Sequence, residues 1–95
     1  MFELHEVLWC REDGHDKIWV GFAYNDVAMC AWGRRTGRLN FKRHSSSCAV
    51  AELADKKKRK GYRPIAKQHV EANFPGLVER IEADLVLKLM ADGVK

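Results

Sequence analysis

The sequence predicts a small α+β domain, with an antiparallel sheet of about four strands, one helix packed across it, and an additional C-terminal amphipathic helix. Three observations support this fold class. Apolar and polar residues alternate along most of the first 43 residues, which is the period of β-strands. The apolar spacing changes to three and four residues after a run of serines, and the same spacing returns near the C-terminus. A chain of 95 residues suits one domain with a single modest core.

Four strands are predicted before the spacing changes, separated by turns of polar residues and glycine. The predicted strands are residues 2–9, 17–24, 27–32 and 38–43. A polar turn at residues 11–16 has Gly14 near its centre, and Asn25-Asp26 forms a two-residue hairpin turn between the second and third strands.

The strand patterns indicate which side chains are buried. Trp9 lies among alternating apolar residues and is predicted to belong to the core. Trp19 is opposite in phase to the apolar residues of its strand, so it either packs under the helix or is an exposed aromatic residue. In the fourth strand, Leu39 and Phe41 share one face, and Arg38, Asn40 and Lys42 share the other.

The first helix is predicted to begin after residues 45–47, a run of serines that offers an N-cap. It ends in the basic run at residues 56–60, where cations suit the negative end of the helix dipole, and Gly61 fits the left-handed position after it. Residues 62–66 are predicted to be extended, because Pro64 disfavours helical residues before it.

The last predicted helix starts at Asn73 or at Phe74-Pro75 and runs to about Ala91. Its core-facing stripe is Leu77, Val78, Ile81, Leu85 and Leu89. A surplus of apolar residues lies off this stripe, namely Val86, Leu87 and Met90. They predict burial against a partner chain or an absent domain, or else on the exposed face of this domain's own sheet. We therefore expect a domain at residues 1–66 and a helical extension at residues 67–95, packed on that domain or on a partner.

Composition and motif spacing argue against several classes of protein. No apolar run approaches the roughly 18–20 residues of a membrane span, and no secretory signal is visible, so we expect a cytoplasmic protein without a membrane partner. Cys10, Cys30 and Cys48 lack metal-ligand spacing, which predicts reduced, mostly buried thiols. His44 next to a serine is not triad geometry, and no glycine-rich phosphate loop is present. We therefore expect no catalytic residue, no metal, no cofactor and no enzymatic activity.

Positive charge is concentrated in the middle of the chain. Residues 34–63 hold eleven basic and two acidic residues, a net charge of +9, whereas the other residues together carry −5. This segregation suggests a surface that faces a polyanion. For the basic run at residues 56–60, the alternative is a solvated helix end.

Trp32-Gly33-Arg34 stands at the start of this basic segment and continues as Arg35-Thr36-Gly37-Arg38. A large aromatic ring therefore lies beside glycine and three arginines, at the end of a predicted strand. An aromatic face can stack on a sugar or a base, and arginines can hold phosphate. The alternative is a buried strand tryptophan, a turn glycine and solvated arginines.

Residues 1 to about 66 resemble the WGR domain, a family named for this tripeptide. The pieces that carry the resemblance occur in the family's order: Lys17-Ile18-Trp19, then Trp32-Gly33-Arg34 with Gly37, then Leu53, Lys57, Lys60, Gly61 and Tyr62. The predicted helix from about residue 74 lies outside the resemblance. The resemblance implies a small antiparallel sheet with one helix across it.

WGR domains occur in poly(ADP-ribose) polymerases, where they contact nucleic acid near a strand break, and as short bacterial proteins described as DNA-binding. The resemblance implies that Trp32 stacks on sugar and that Arg34 contacts phosphate or another domain. The catalytic domain of those polymerases does not fit in 95 residues.

Two functions are predicted from these residues. The first is a non-catalytic nucleic-acid-binding module that binds DNA ends, nicks or other DNA without strong sequence preference. Its expected contact residues are Trp32, Arg34, Arg35, Arg38, Lys42, Arg43, Lys57 and Lys60. The alternative is a protein–protein interaction or scaffold module, in which the apolar C-terminal helix mediates homo-oligomerisation or docking to a protein partner.

Overall fold

A computed structural model describes residues 2–12 and 14–93. Asp13 of the predicted polar turn and residues 94–95 of the predicted extension lie outside the described residues. The elements are β1 (Phe2–Cys10), β2 (Lys17–Tyr24), β3 (Val27–Arg34), β4 (Asn40–Arg43), α1 (Ser47–Arg59), β5 (Arg63–Ile65), α2 (Lys67–Asn73) and α3 (Leu77–Gly93). Together they form a small α+β fold, which confirms the predicted fold class.

The sheet has five strands in the order β4-β3-β2-β1-β5, and all neighbouring strands are antiparallel. The β2–β3 hairpin turns at Asn25 (φ 50°) and Asp26 (φ 66°), the positive φ values that a type I′ turn requires. This turn pairs Tyr24 with Val27 and fixes the register of the whole hairpin. The predicted hairpin turn is therefore confirmed.

Three features of the fold differ from the prediction: a fifth strand, the residue at which the last helix begins, and the short helix α2, which was not predicted. The extended segment after α1 becomes a fifth strand, β5, because it pairs with β1, and Pro64 is tolerated there at the sheet edge. The predicted start of the last helix, at Asn73 or at Phe74-Pro75, is wrong. The short helix α2 ends at Asn73, and α3 begins only at Leu77. With seven residues and one buried side chain, Val70, α2 is too short to produce a recognisable helical period.

The two faces of the sheet carry separate cores. The α2–α3 face holds the larger core, made of Val7, Ile18, Val20, Phe22, Met29, Ala31, Leu39, Phe41, Val70, Phe74, Leu77, Ile81 and Leu85. The α1 face holds a smaller core, made of Leu8, Trp19, Ala28, Cys30, Val50 and Ala54. Trp19 is only 1 % exposed, so it packs under α1. Trp9 is half-buried against the larger core, edge-on to Phe74 with 4.8 Å between ring centroids.

The last turns of α3 extend beyond the core. Leu77, Ile81 and Leu85 are buried as predicted, but Leu89 of the same stripe is exposed, which corrects that part of the prediction. The packing of α3 in the core ends at Leu85, so the apolar residues after it have no core to cover them. In the part of the chain that the structure describes, no helix has the length and apolar character needed to cross a membrane.

Candidate nucleic-acid interface

Trp32 lies near the end of β3 on the α1 face of the sheet. It pairs across the strands with Trp19 on one side and with Asn40 on the other. Its ring is half-buried and packs against the smaller core together with Leu53 and Tyr62. Trp32 is thus anchored by the core and still presents part of its ring to solvent, as a stacking platform requires.

The backbone conformation at residue 33 explains why a glycine follows Trp32. Its φ is +154°, and a Cβ at this position would lie 3.0 Å from the backbone oxygen of Arg38. Any other residue would therefore be strained and would push the following turn away. We call residues 33–39 the 33–39 turn. Gly33 allows this turn to return close to the end of β3.

A depression of about 510 Å³ opens beside Trp32 on this face. Its lining residues are Lys17, Trp32, Gly33, Arg34, Gly37, Arg38, Asn40, Lys57 and Tyr62. We call it the Trp32 depression. Four cations, one side-chain amide and two aromatic rings meet there, and no acidic side chain of the described residues lines it. Guanidinium and ammonium groups bind phosphate oxygens, and aromatic faces stack on sugars and bases.

The phase of α1 places Lys57 in the depression. Val50 and Ala54 face the sheet, and Lys57 continues the same stripe one turn later, with its stem half-buried. The Lys57 Nζ lies 5.6 Å from the centroid of the Tyr62 ring, a cation–π distance. Burial raises the pKa of Tyr62.

Lys17 and Asn40 were not among the predicted site residues. Lys17 lies directly opposite Arg34 in the β2–β3 hairpin, and Asn40 lies opposite Trp32 and donates from its Nδ2 to the Trp32 oxygen at 3.4 Å. The signal for Lys17 was present in the sequence. Counting outward from a two-residue turn at Asn25-Asp26 pairs residue 17 with residue 34.

Arg35 was predicted as a phosphate contact, but it lies away from the depression. Its Nε donates to Asp16 Oδ2 at 2.8 Å, and its guanidinium lies 5.8 Å from the Trp9 ring centroid. The hydrogen bond from Trp9, followed by the contact with Arg35, lowers the pKa of Asp16 despite an opposing effect of burial. The Arg35 guanidinium therefore binds groups of the protein itself, namely Asp16 and the Trp9 ring.

Lys42, Arg43 and Lys60 also lie outside the Trp32 depression. Lys42 is exposed on the same face of β4, opposite Cys30, whereas Arg43 alternates to the other face opposite Met29. Lys60 is the exposed C-cap residue of α1. Of the eight predicted contact residues, the structure thus brings together Trp32, Arg34, Arg38 and Lys57.

Part of the basic run at residues 56–60 has a structural role. The Nζ of Lys58 lies 2.5 Å from Glu6 Oε1, and this hydrogen bond raises the pKa of Lys58. Lys58 is consequently tied to β1. For Lys58, this contact favours a structural role. Lys57 lines the Trp32 depression instead, which favours a role in ligand binding.

The cysteines occupy three different environments. Cys30 is buried, Cys10 is half-buried and Cys48 is exposed, so the expectation of mostly buried thiols is wrong for Cys48, which lies on the solvent side of α1. Burial raises the pKa of the Cys30 thiol, whose Sγ lies 3.2 Å from His44 Nε2. Among the residues the structure describes, no group of three or more histidine, cysteine or acidic side chains is arranged to hold a metal ion.

Comparisons of the chain with protein-family models, with curated proteins and with solved structures find no significant match. The resemblance to the WGR domain therefore stays a prediction from the quoted motifs. The case for a site depends on the geometry of the Trp32 depression.

Proposed function

We propose that the chain is a non-catalytic nucleic-acid-binding module that holds its ligand in the Trp32 depression. The supporting observation is the convergence of four cations and two aromatic rings in one concave surface. Cations alone would suit any polyanion, and aromatic rings alone would suit many apolar ligands. Their combination matches a nucleotide, which presents phosphate beside a sugar and a flat base.

The size of the depression supports a nucleic-acid end, a nick or a single strand. Its volume of about 510 Å³ lies in the range of sites that hold a small group, such as one terminal nucleotide. At an end or a nick the sugar face and the terminal phosphate are both accessible. Trp32 would stack on the sugar while Arg34 and Arg38 bind phosphate oxygens, the roles that the WGR resemblance implies for Trp32 and Arg34.

The lining residues support binding without strong sequence preference. The cations bind phosphate, which is the same for every base. Asn40, the amide in the depression, already donates to the Trp32 oxygen. Stacking on an aromatic ring is tolerant of sequence, because every base has a flat face.

A titration across salt concentration tests this proposal. Nicked duplex, blunt duplex and single-stranded oligonucleotides are titrated by fluorescence anisotropy with the parent protein, Trp32→Leu, Arg34→Gln and Arg38→Gln. We expect each arginine variant to lower affinity about tenfold at low salt and to reduce the salt slope by about one, since one phosphate contact is lost. Trp32→Leu should lose about 1–3 kcal/mol of binding free energy.

Two matched variants control for net charge. Arg43→Gln and Lys60→Gln each remove one positive charge outside the Trp32 depression, so we expect less than about a threefold loss of affinity. Thermal unfolding of every variant verifies that it is folded at the assay temperature. The proposal is wrong if the parent binds only weakly at low salt, or if Trp32→Leu and Arg34→Gln bind like the parent.

A second candidate function is docking of a protein, or of a second copy, on the end of α3. Val86, Leu87, Leu89 and Met90 are between 45 % and 60 % exposed on consecutive turns of that helix. Apolar patches of this kind are typical of protein–protein contacts.

Sedimentation equilibrium over a wide concentration range tests self-association. We expect the mass of the parent to rise with concentration and that of Leu87→Glu to stay monomeric, whereas a constant monomer mass for the parent excludes self-association.

A further inference from the structure

Helix α3 contacts the backbone of the 33–39 turn through two side chains, Arg80 and Asp84. The Arg80 guanidinium donates to three backbone oxygens of this turn: from Nη1 to Arg35, and from Nη2 to Arg34 at 3.2 Å and to Gly37 at 2.7 Å. One helical turn further, Asp84 Oδ2 accepts a hydrogen bond from the Leu39 N–H at 3.3 Å. The same side of α3 therefore holds both the middle and the end of the turn.

An arginine is suited to this set of acceptors, whereas a lysine is not. The guanidinium presents its donors in a rigid planar fork, so two nitrogens reach three oxygens that converge from different directions. A lysine ammonium is a compact point charge at the end of a flexible chain. It would keep the charge but not the fixed spacing of the donors.

The carbonyl groups held by Arg80 belong to the same short segment whose side chains line the site. Arg34 and Arg38 lie in the Trp32 depression, while the Arg34 and Gly37 oxygens are bonded to α3. Within the turn, the Gly37 N–H also donates to the Arg34 oxygen at 3.0 Å. Fixing these carbonyls fixes the backbone from which both arginine side chains project.

We propose that Arg80 is the positioning residue of the Trp32 depression and that α3, which lies outside the WGR resemblance, is part of the site. Arg80 holds the 33–39 turn in the shape that directs Arg34 and Arg38 toward a ligand. Its consequence for binding rests on the proposed function, but its effect on the turn exists in the free protein.

Amide hydrogen exchange in the free protein tests the effect on the turn. Arg80→Lys and Arg80→Met are compared with the parent and with Lys67→Met, which removes an exposed cation at the start of α2. We expect the Gly37 amide to exchange about tenfold faster or more in both Arg80 variants and at the parent rate in Lys67→Met. The Val20 amide in the core strand β2 should keep its parent rate in every variant. An unchanged Gly37 rate in Arg80→Lys overturns the proposal, and so does equal acceleration of Val20, which would indicate global destabilisation.

Measuring the affinity for nicked duplex then distinguishes the effect of the Arg80 donor geometry from the effect of its positive charge. We expect Arg80→Lys to lose affinity as much as Arg80→Met, about tenfold, although lysine keeps the charge. In the Arg80→Lys background, Arg34→Gln should cause less than about a threefold further loss, because the two residues act through one turn. If Arg80→Lys binds like the parent, the proposal is overturned while the proposed function stands. If the parent binds no nucleic acid, the proposed function fails and the Gly37 exchange rate alone decides the role of Arg80.

Discussion

The two faces of the sheet differ in how completely a helix covers them. On the α2–α3 face, large side chains such as Phe22, Phe74 and Ile81 form a core along much of the sheet. On the α1 face, the helix contributes only Val50 and Ala54 as buried residues, and it lies close to the sheet above Gly21. The smaller core ends before the strands do, and Trp32 and Tyr62 lie half-buried at its margin.

The arginines in and next to the 33–39 turn differ in the same way. Arg35 and Arg80, associated with the α2–α3 side, donate to an aspartate and to backbone oxygens of the protein. Arg34 and Arg38 lie in the Trp32 depression, and no ion pair joins them to an acid among the described residues. Arg35 and Arg80 thus bind groups of the protein itself, whereas Arg34 and Arg38 lie beside half-buried aromatic rings in the Trp32 depression.

The largest expected effect concerns the covered face. Ile81→Ala removes a fully buried side chain from the larger core and should lower the free energy of unfolding by about 2–5 kcal/mol, through lost burial and the cavity left behind. Val50→Ala is the corresponding change on the α1 face; it removes two carbon atoms instead of three and should cause a smaller loss, also per carbon atom removed. Urea denaturation measures both free energies. Equal losses would contradict the division of packing between the two faces.

A smaller effect tests how closely α1 lies on the sheet. A Cβ at Gly21 would lie 2.8 Å from Val50 Cγ1 and 3.2 Å from the Trp19 ring. Gly21→Ala should therefore cost about 1–3 kcal/mol of stability by overpacking, measured by the same denaturation. The double variant Gly21→Ala/Val50→Ala should recover part of this loss, because the obstructing methyl group is gone. A fully stable Gly21→Ala protein would show that α1 can move away from the sheet at no cost.

Features set by nearby residues were predictable from the sequence. The Asn25-Asp26 turn, the Ser46 side chain that accepts from the Ala49 N–H at 3.2 Å, and Gly61 with φ +105° each depend on a few adjacent residues. The alternation of Arg34 and Arg35 is equally local: Arg34 ends β3, and Arg35 directly after it donates from its N–H to the Asp16 oxygen at 2.9 Å. The prediction that both arginines contact phosphate did not use that alternation.

Features set by distant residues were not predictable in the same way. The pairing of β5 with β1 joins segments more than fifty residues apart, and three residues leave almost no strand pattern. The contact between Arg80 and the 33–39 turn joins residues that are 43 to 46 apart in sequence. No local pattern marks an arginine on an amphipathic helix as a donor to a remote turn, so Arg80 was missed.

The smallest expected effect is the pH dependence of the link between Asp16 and Arg35. The Trp9 Nε1 donates to Asp16 Oδ1 at 2.6 Å, and this bond, with Arg35, lowers the pKa of Asp16 in the folded protein below its unfolded value of about 3.9. Its stabilisation is therefore complete above that pH and is lost as the pH falls through the folded pKa. The Asp16 side chain is 41 % exposed, so solvent screening limits the effect to at most about 1 kcal/mol.

Asp16→Asn should be slightly less stable than the parent at pH 7, and urea denaturation between pH 7 and pH 2 should show the two proteins converging below about pH 4. A difference for Asp16→Asn that persists unchanged at pH 2 would mean that the loss comes from packing around Trp9 and not from the charge of Asp16.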